Sequence, residues 1–299
     1  MARPFTRKRD LRTGTPVWLP HGEVVAPPQP LERGFRVDVA VIGGGVSGAL
    51  MADAALQAGR SVAVFDRRGL VRGSTPASTA LLQFELDQPL TTLSGRIGAD
   101  RAARAWWRSA GAVQHLRGRI EDLGLRCRLK PRASAYLPGN TLDVAGLRAE
   151  ATARERIGLR SAFIGRDALL GLTGIHKAGA VWSPDNAELD PVRLVRGLWR
   201  SALARGARIF APVELVDLQA GRDNVTLTMA DGLEVTAKHV VLATGYELTR
   251  LLKPTGYKVI TTWAMATAPQ RDKLWGTRCL IWEAADPYLY LRTTADDRI

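Results

Sequence analysis

The chain has 299 residues, 46% hydrophobic and 24% charged, an ordinary soluble globular balance with room for one large α/β domain or two interleaved ones. No apolar run approaches the length needed to span a bilayer, and the basic start "MARPFTRKRDLRTGTPVWLPHG" lacks the apolar stretch of a secretory signal; the expected location is cytoplasmic. The net charge of +13 is uneven: residues 1–12 hold five basic side chains against Asp10, and residues 96–132 hold ten against three acidic ones, together 11 of the 13 excess charges. Such a stripe suits nucleic acid, acidic lipid or anionic substrates, or simply a solvated arginine-rich face. Cys127 and Cys279 form no spaced pair, so reduced thiols and no metal site are expected.

In chain order, residues 1–33 read as an irregular leader rich in proline and charge. "VDVAVI" (37–42) is a short continuous apolar run suited to a buried parallel strand, and "SVAVF" (61–65) is a second. Between them "VSGALMADAALQAG" (46–59), rich in alanine and leucine, predicts a helix ending at Gly59. "RGSTPASTALLQFELDQPL" reads as a small-residue loop too polar for a core element. Residues 100–123 predict an amphipathic helix with Ala103, Trp106, Ala110, Val113, Ile120 and Leu123 on its apolar stripe. Trp107 falls beside that stripe and is expected in the core. Pro191 opens a further helix to about Arg205. Strands are then expected at 213–219, 224–229, 233–237 and 239–245, the middle pair joined by the hairpin signal Asp231-Gly232. The tail alternates β-rich segments, "KVITTWAMAT" and "YLYLR", with loops.

Gly43, Gly45 and Gly48 stand as G-x-G-x-x-G after a strand and before a helix, the context a dinucleotide fold requires. The first glycine permits a tight turn, the second lets backbone approach a pyrophosphate, and the third lets helix and strand pack closely. Helix N–H groups and the helix dipole then favour phosphate. No Gly-Lys-Ser/Thr follows, which excludes a nucleoside-triphosphate loop. Asp66 ends the second strand eighteen residues after Gly48, where an acid binds ribose hydroxyls. An acid there disfavours a 2′-phosphate; Arg67 and Arg68 beside it keep NADP as the alternative.

The stretch "DVAVIGGGVSGAL…SVAVFDRRGLVRGSTPASTALL" with "ELDPVRLVRGL…GARIFAPVELVDL…HVVLATGYE" resembles the D-amino-acid oxidase/glycine oxidase family of FAD-dependent oxidoreductases over residues 34–299. The resemblance implies an α/β fold: a Rossmann-like, glutathione-reductase-type βαβ domain with a β-meander, interleaved with an α+β substrate domain. The implied division gives residues 34–95 and 182–248 to the FAD domain and 96–181 and 249–299 to the substrate domain. It places Gly43, Gly45, Val46, Ser47 and Gly48 at the FAD pyrophosphate and Asp66, with Arg67 beside it, at the adenosine ribose. Gly73, Ser74 and Thr75, with Ser78, Thr79, Ala80 and Leu81, would line the ribityl chain and ring. Val213 would present backbone to the adenine, and Thr244 and Gly245 would pass close to the cofactor. Residues 72–83 hold no histidine or cysteine, so FAD is expected to be held non-covalently.

The implied chemistry is hydride removal from the α-carbon of a small amine or amino acid to give an imine, with O2 or another acceptor taking the electrons. In "PYLYLR", Tyr288, Tyr290 and Arg292 alternate, so all three are expected on one strand face. They make either a carboxylate-binding constellation or a salt-bridged sheet face. "TTADDRI" resembles the middle of a strand pair after which relatives continue, so the sequence is expected to be truncated relative to the family. Two other readings are a tRNA-directed FAD domain, of the wobble-uridine modification type, and a non-catalytic remnant.

Overall fold

The computed structural model describes residues 14–18, 25, 29–251, 260 and 262–299. The chain opens with strand β1 (Phe35–Ile42), helix α1 (Val46–Gln57), β2 (Val62–Phe65) and the short β3 (Leu81–Leu82). Helices α2 (Leu90–Ile97) and α3 (Ala99–Asp122) follow, then β4 (Lys130–Leu137), α4 (Val144–Arg156), β5 (Ala162–Gly165) and α5 (Arg166–Thr173). Next come β6 (Gly179–Glu188), α6 (Pro191–Ala204), β7 (Arg208–Phe210), β8 (Leu215–Ala220), β9 (Val225–Met229) and β10 (Glu234–Leu242). The last elements are β11 (Leu280–Glu283) and β12 (Tyr290–Leu291). None of the helices among the described residues is long and apolar enough to cross a membrane.

Two compact units share these elements: residues 1–78, 125–127 and 190–264 form one, and residues 79–124, 128–189 and 265–299 the other. The switches at 78, 189 and 264 differ from the expected 95, 181 and 248. β3 explains the first shift, because it pairs with β6 and so belongs to the second unit's sheet. β6 explains the second, since a break at 181 would cut a continuous strand.

In the first unit, six strands run in the order β7-β2-β1-β10-β9-β8. The first four are parallel, and β9 and β8 add an antiparallel meander. β1 is apolar on both faces because both are covered. Val41 faces α1, while Ala40 and Ile42 join a cluster with Phe65, Leu227 and Val235. The rings of Phe65 and Phe210 stack at 5.4 Å in that cluster. α6 packs beside α1; its cap Asp190 accepts from the backbone N–H groups of Val192 and Arg193 at 3.0 Å, and Pro191 occupies the first helical position. The Asp-Gly hairpin forms as expected, with Gly232 at φ +87° and Met229 N–H donating to Leu233 O at 2.9 Å. The two expected strands 233–237 and 239–245 are instead one strand, β10. Its first half pairs with β9 while it also runs along β1 to Leu242.

The second unit's sheet runs β12-β11-β4-β6-β3, with β5 also on β6. Alternation along β4 sends Ala135 and Leu137 to one cluster and Tyr136 to another, where its ring stacks on Trp282 at 3.8 Å. Burial pushes the Tyr136 phenol up to about 12. Trp106 on α3 is fully buried beside Phe84, but Trp107 is half exposed, its indole N–H donating to Ile157 O at 2.7 Å. This corrects its expected core position. The loop expected after Gly73 is not wholly polar: Thr75, Pro76 and Phe84 are buried and residues 81–82 form β3. "KVITTWAMAT" is not a strand where it is described; Ile260, Trp263 and Met265 are exposed irregular backbone, and residues 258, 259 and 261 lie outside the described residues.

Glu150 shows how this unit caps a helix from a distance. The cap residue of α2 is Pro89, which offers no side-chain acceptor. The buried Glu150 carboxylate of α4 takes the N–H groups of Leu90 and Thr91 at 2.8 and 2.9 Å, and Arg154 Nε donates to it at 2.8 Å. Two orphan helix donors and one buried charge are satisfied by a single side chain.

Candidate cofactor site

Register along the parallel strands assembles the site. Ile42 lies opposite Phe65 and Leu242, so Gly43, Asp66 and Ala243 leave the carboxyl ends of three neighbouring strands together. A cleft of about 810 Å³ opens there, the position where open α/β sheets take their ligands. Gly43 turns the chain at φ +115°, and a Cβ on it would lie 2.4 Å from Ala243 O, so no other residue fits. A Cβ on Gly48 would lie 1.9 Å from Gly43 O, which identifies Gly48 as the packing glycine beneath the turn. Behind it, buried Trp199 donates its indole N–H to Gly44 O at 3.1 Å.

The start of α1 is built for an anion. Its cap, Gly45, supplies no side-chain acceptor, and its first turn holds no acidic residue. Val46 N–H donates to Thr75 Oγ1 at 3.1 Å, which draws the 73–75 segment against the helix start. The positive end of the helix faces a cleft lined by Gly43, Gly45, Val46 and Ser47. A Cβ on Gly45 would meet only Thr75 Oγ1, at 3.1 Å. The diphosphate of a dinucleotide fits this cradle, since a helix end without carboxylate or side-chain cap accommodates a second anion rather than duplicating one.

Asp66 lines the same cleft, with both carboxylate oxygens engaged. Oδ2 accepts from Gly44 N–H at 2.7 Å, and Oδ1 from Arg68 and Gly69 N–H at 2.8 and 2.9 Å. Burial pushes its carboxyl above the ordinary 3.8, against the downward pull of those three donors. Each oxygen has two lone-pair sites, so Oδ2 keeps one for an incoming hydroxyl. The expected pair of ribose contacts is therefore reduced to one at this carboxylate. Arg67 Nη2 and Glu247 Oε1 lie 2.5 Å apart, and Arg68 also pairs with Glu247, which is nearly buried. Glu247 draws both guanidiniums onto the wall that also carries Thr244 and Gly245.

Gly43, Gly45, Val46, Ser47, Asp66, Arg67, Gly73, Ser74, Thr75, Val213, Thr244 and Gly245 thus line one cleft, and Gly48 supports it from below. Ser78 accepts the Trp18 indole N–H at 2.7 Å and, like Thr79, Ala80 and Leu81, is not part of this cleft's lining. Sequence reasoning missed Glu247 and Trp199. Nothing local marks either residue; each reaches the site from far along the chain.

The three tail residues do not form the expected constellation. β12 is only two residues long, and the alternation ends there. The Tyr288 and Tyr290 rings lie 5.5 Å apart, and Tyr288 is largely exposed. Arg292 instead turns its guanidinium onto main-chain carbonyls, so it presents no open fork to a carboxylate.

The glycine turn, the acid at the end of β2 and the meander β8–β10 agree with comparison against known proteins. Residues 38–299 match the family model of the FAD dependent oxidoreductases, DAO. The chain belongs to this family. Membership assigns it FAD as cofactor and oxidoreduction as its class of chemistry. Gamma-glutamylputrescine oxidoreductase of Escherichia coli is 24% identical over 290 residues, covering 92% of this chain and 66% of that protein. Glycine oxidase of Bacillus licheniformis is 26% identical over 229 residues, covering 74% of this chain and 57% of that one. In structure, glycine oxidase from Geobacillus kaustophilus superposes with a TM-score of 0.64 at 20% identity, covering 88% of this chain and 70% of that one. The chain spans between 37% and 66% of the length of the curated relatives it matches.

Proposed function

We propose that the chain holds FAD non-covalently and removes a hydride from the α-carbon of a small amine or amino acid, giving an imine. The observation that carries this reading is the uncapped start of α1, which faces a cleft at the carboxyl ends of β1, β2 and β10 with Asp66 on its wall. Bound FAD supplies the hydride acceptor: the C–H bond next to a neutral amine breaks, both electrons leave with the hydrogen, the imine is hydrolysed by water, and O2 or another acceptor later takes the electrons.

The chain's own residues bind, orient and exclude. Gly45, Val46 and Ser47 hold the diphosphate through main-chain N–H groups and the positive helix end. Asp66 gives its remaining lone-pair site on Oδ2 to a ribose hydroxyl. Val213 spends its N–H on Asp66 O at 2.9 Å, so it meets the adenine through contact and its carbonyl. Thr244 and Gly245 bring the end of β10 against the cofactor, Gly73 to Thr75 form the facing wall, and Ser78 to Leu81 lie along the ring system. No side chain has to take a proton from carbon, which agrees with a cleft whose only carboxylates are tied to backbone N–H or arginine.

The test is anaerobic. FAD-loaded protein is mixed with a panel of amino acids and small amines while its visible absorption is followed. Bleaching by a subset supports amine oxidation. A spectrum that stays yellow with every amine, although dithionite reduces it, would remove the proposed substrate class and leave FAD binding standing.

A further inference from the structure

We propose that Arg292 is a positioning residue for the flavin: it locks the strained turn at Thr79–Ala80 instead of holding a substrate carboxylate. The inference rests on the FAD reading above, which runs Ser78 to Leu81 along the ring system.

Ala80 adopts φ +56°, a left-handed conformation that disfavours any residue with a Cβ. Such a conformation persists where its surroundings over-determine it. Here Arg292 does so. Its Nη1 donates to Ala80 O at 2.9 Å, to Leu189 O at 3.2 Å and to Thr79 O at 3.3 Å. Its Nε donates to Thr293 O at 3.1 Å, and its Nη2 lies 3.3 Å from Glu188 Oε2. Glu188 is itself fixed, with Arg132 Nη2 on its other oxygen at 2.9 Å and Leu81 opposite it across the β3–β6 pair. The Arg292 side chain is only 10% exposed. Carbonyl groups of a turn do not ordinarily converge on one nitrogen; a guanidinium satisfies them together and sets the direction of the peptide planes on either side of Ala80. Those planes determine which main-chain groups the segment offers to its ligand. The guanidinium thereby acts on the cofactor through residues 79–80, and its free donors are too few for a bidentate carboxylate grip.

The experiment uses the purified protein with FAD as probe, followed by quenching of protein fluorescence and by the visible flavin bands, with acetate as a carboxylate probe. Arg292→Met should raise the FAD Kd about tenfold, the size of one lost charge-assisted hydrogen bond, and shift the visible bands. Adding Ala80→Gly should recover most of that loss, because glycine takes the left-handed turn unaided. A purely structural arginine would not be rescued at that position. At saturating FAD, acetate should perturb the spectrum of Arg292→Met as it does the wild type. Arg292→Lys serves if the methionine variant does not fold, with a smaller loss and the same rescue. Unchanged FAD affinity, a loss that Ala80→Gly does not repair, or selective loss of the acetate response would each overturn the assignment. A wild type that takes up no FAD would fail the cofactor reading itself, and this inference with it.

Discussion

Gly48→Ala separates a glycine that packs from one that faces ligand. The added methyl carbon would lie 1.9 Å from Gly43 O, 3.1 Å from Gly43 C and 3.3 Å from Val41 Cγ1. Reaching an ordinary contact with that carbonyl requires a shift of about 1.5 Å in a turn that is hydrogen-bonded on both sides. Gly43 N–H is bound to Phe65 O at 2.9 Å and Ala243 N–H to Ile42 O at 2.8 Å, so the turn cannot retreat without loosening the strand ends. Alanine's better helix propensity returns up to about 1 kcal/mol, while overpacking costs about 1–3 kcal/mol, more where backbone is the obstacle. The net expectation is a loss of about 1–3 kcal/mol, read as a drop in Tm of about 2–4 °C per kcal/mol. Gly45→Ala meets only Thr75 Oγ1 at 3.1 Å, so its Tm without FAD should stay near wild type while its FAD Kd rises. Differential scanning fluorimetry without FAD, paired with FAD titration, reads both. Equal Tm for wild type and Gly48→Ala, or a Gly45→Ala protein that binds FAD like wild type, would refute this division of labour.

Asp66 predicts a pH dependence. Its carboxyl is raised above 3.8 in the folded protein, and only the ionised form offers a free acceptor to ribose. FAD affinity should therefore be full at neutral pH and fall on acidification through that raised value, a loss that begins above pH 3.8; Asp66→Asn should bind more weakly and show no such step. Glu150→Gln should destabilise by about 3–5 kcal/mol in urea unfolding, because it strands the buried Arg154 charge. A loss under about 1 kcal/mol would contradict the buried pair. Glu247→Ala, which strips Arg67 and Arg68 of their shared carboxylate, should cost about 1–3 kcal/mol and weaken FAD retention; wild-type behaviour in both would dismiss Glu247 as a wall residue.

The parts of the fold legible in the sequence are those made of neighbours. Strand, glycine turn, helix and acid-ended strand lie within 35–66, and hydrophobic run, missing Cβ atoms and terminal carboxylate each have a local signature. The Asp231-Gly232 hairpin is legible for the same reason. β10 was divided in two because Lys238 and His239 interrupt its apolar run. In the structure Lys238 is exposed and pairs with Asp38 at 2.7 Å, so the polar residue ends nothing. Glu150 caps a helix that begins 60 residues earlier, and Arg292 reaches a turn 212 residues away. No periodicity encodes such contacts. The Tyr288–Arg292 alternation misled because only Tyr290 and Leu291 pair with β11, and past them the side chains follow the loop.

The central claim, that the cleft at the start of α1 takes the adenosine diphosphate half of FAD, is tested most directly by competition. The purified protein is titrated with FAD while protein fluorescence is followed, then again in the presence of ADP or riboflavin. Saturation at one FAD per chain, with ADP competing and riboflavin not, is the expected result. Absence of saturable binding, or displacement by riboflavin but not ADP, would contradict the account.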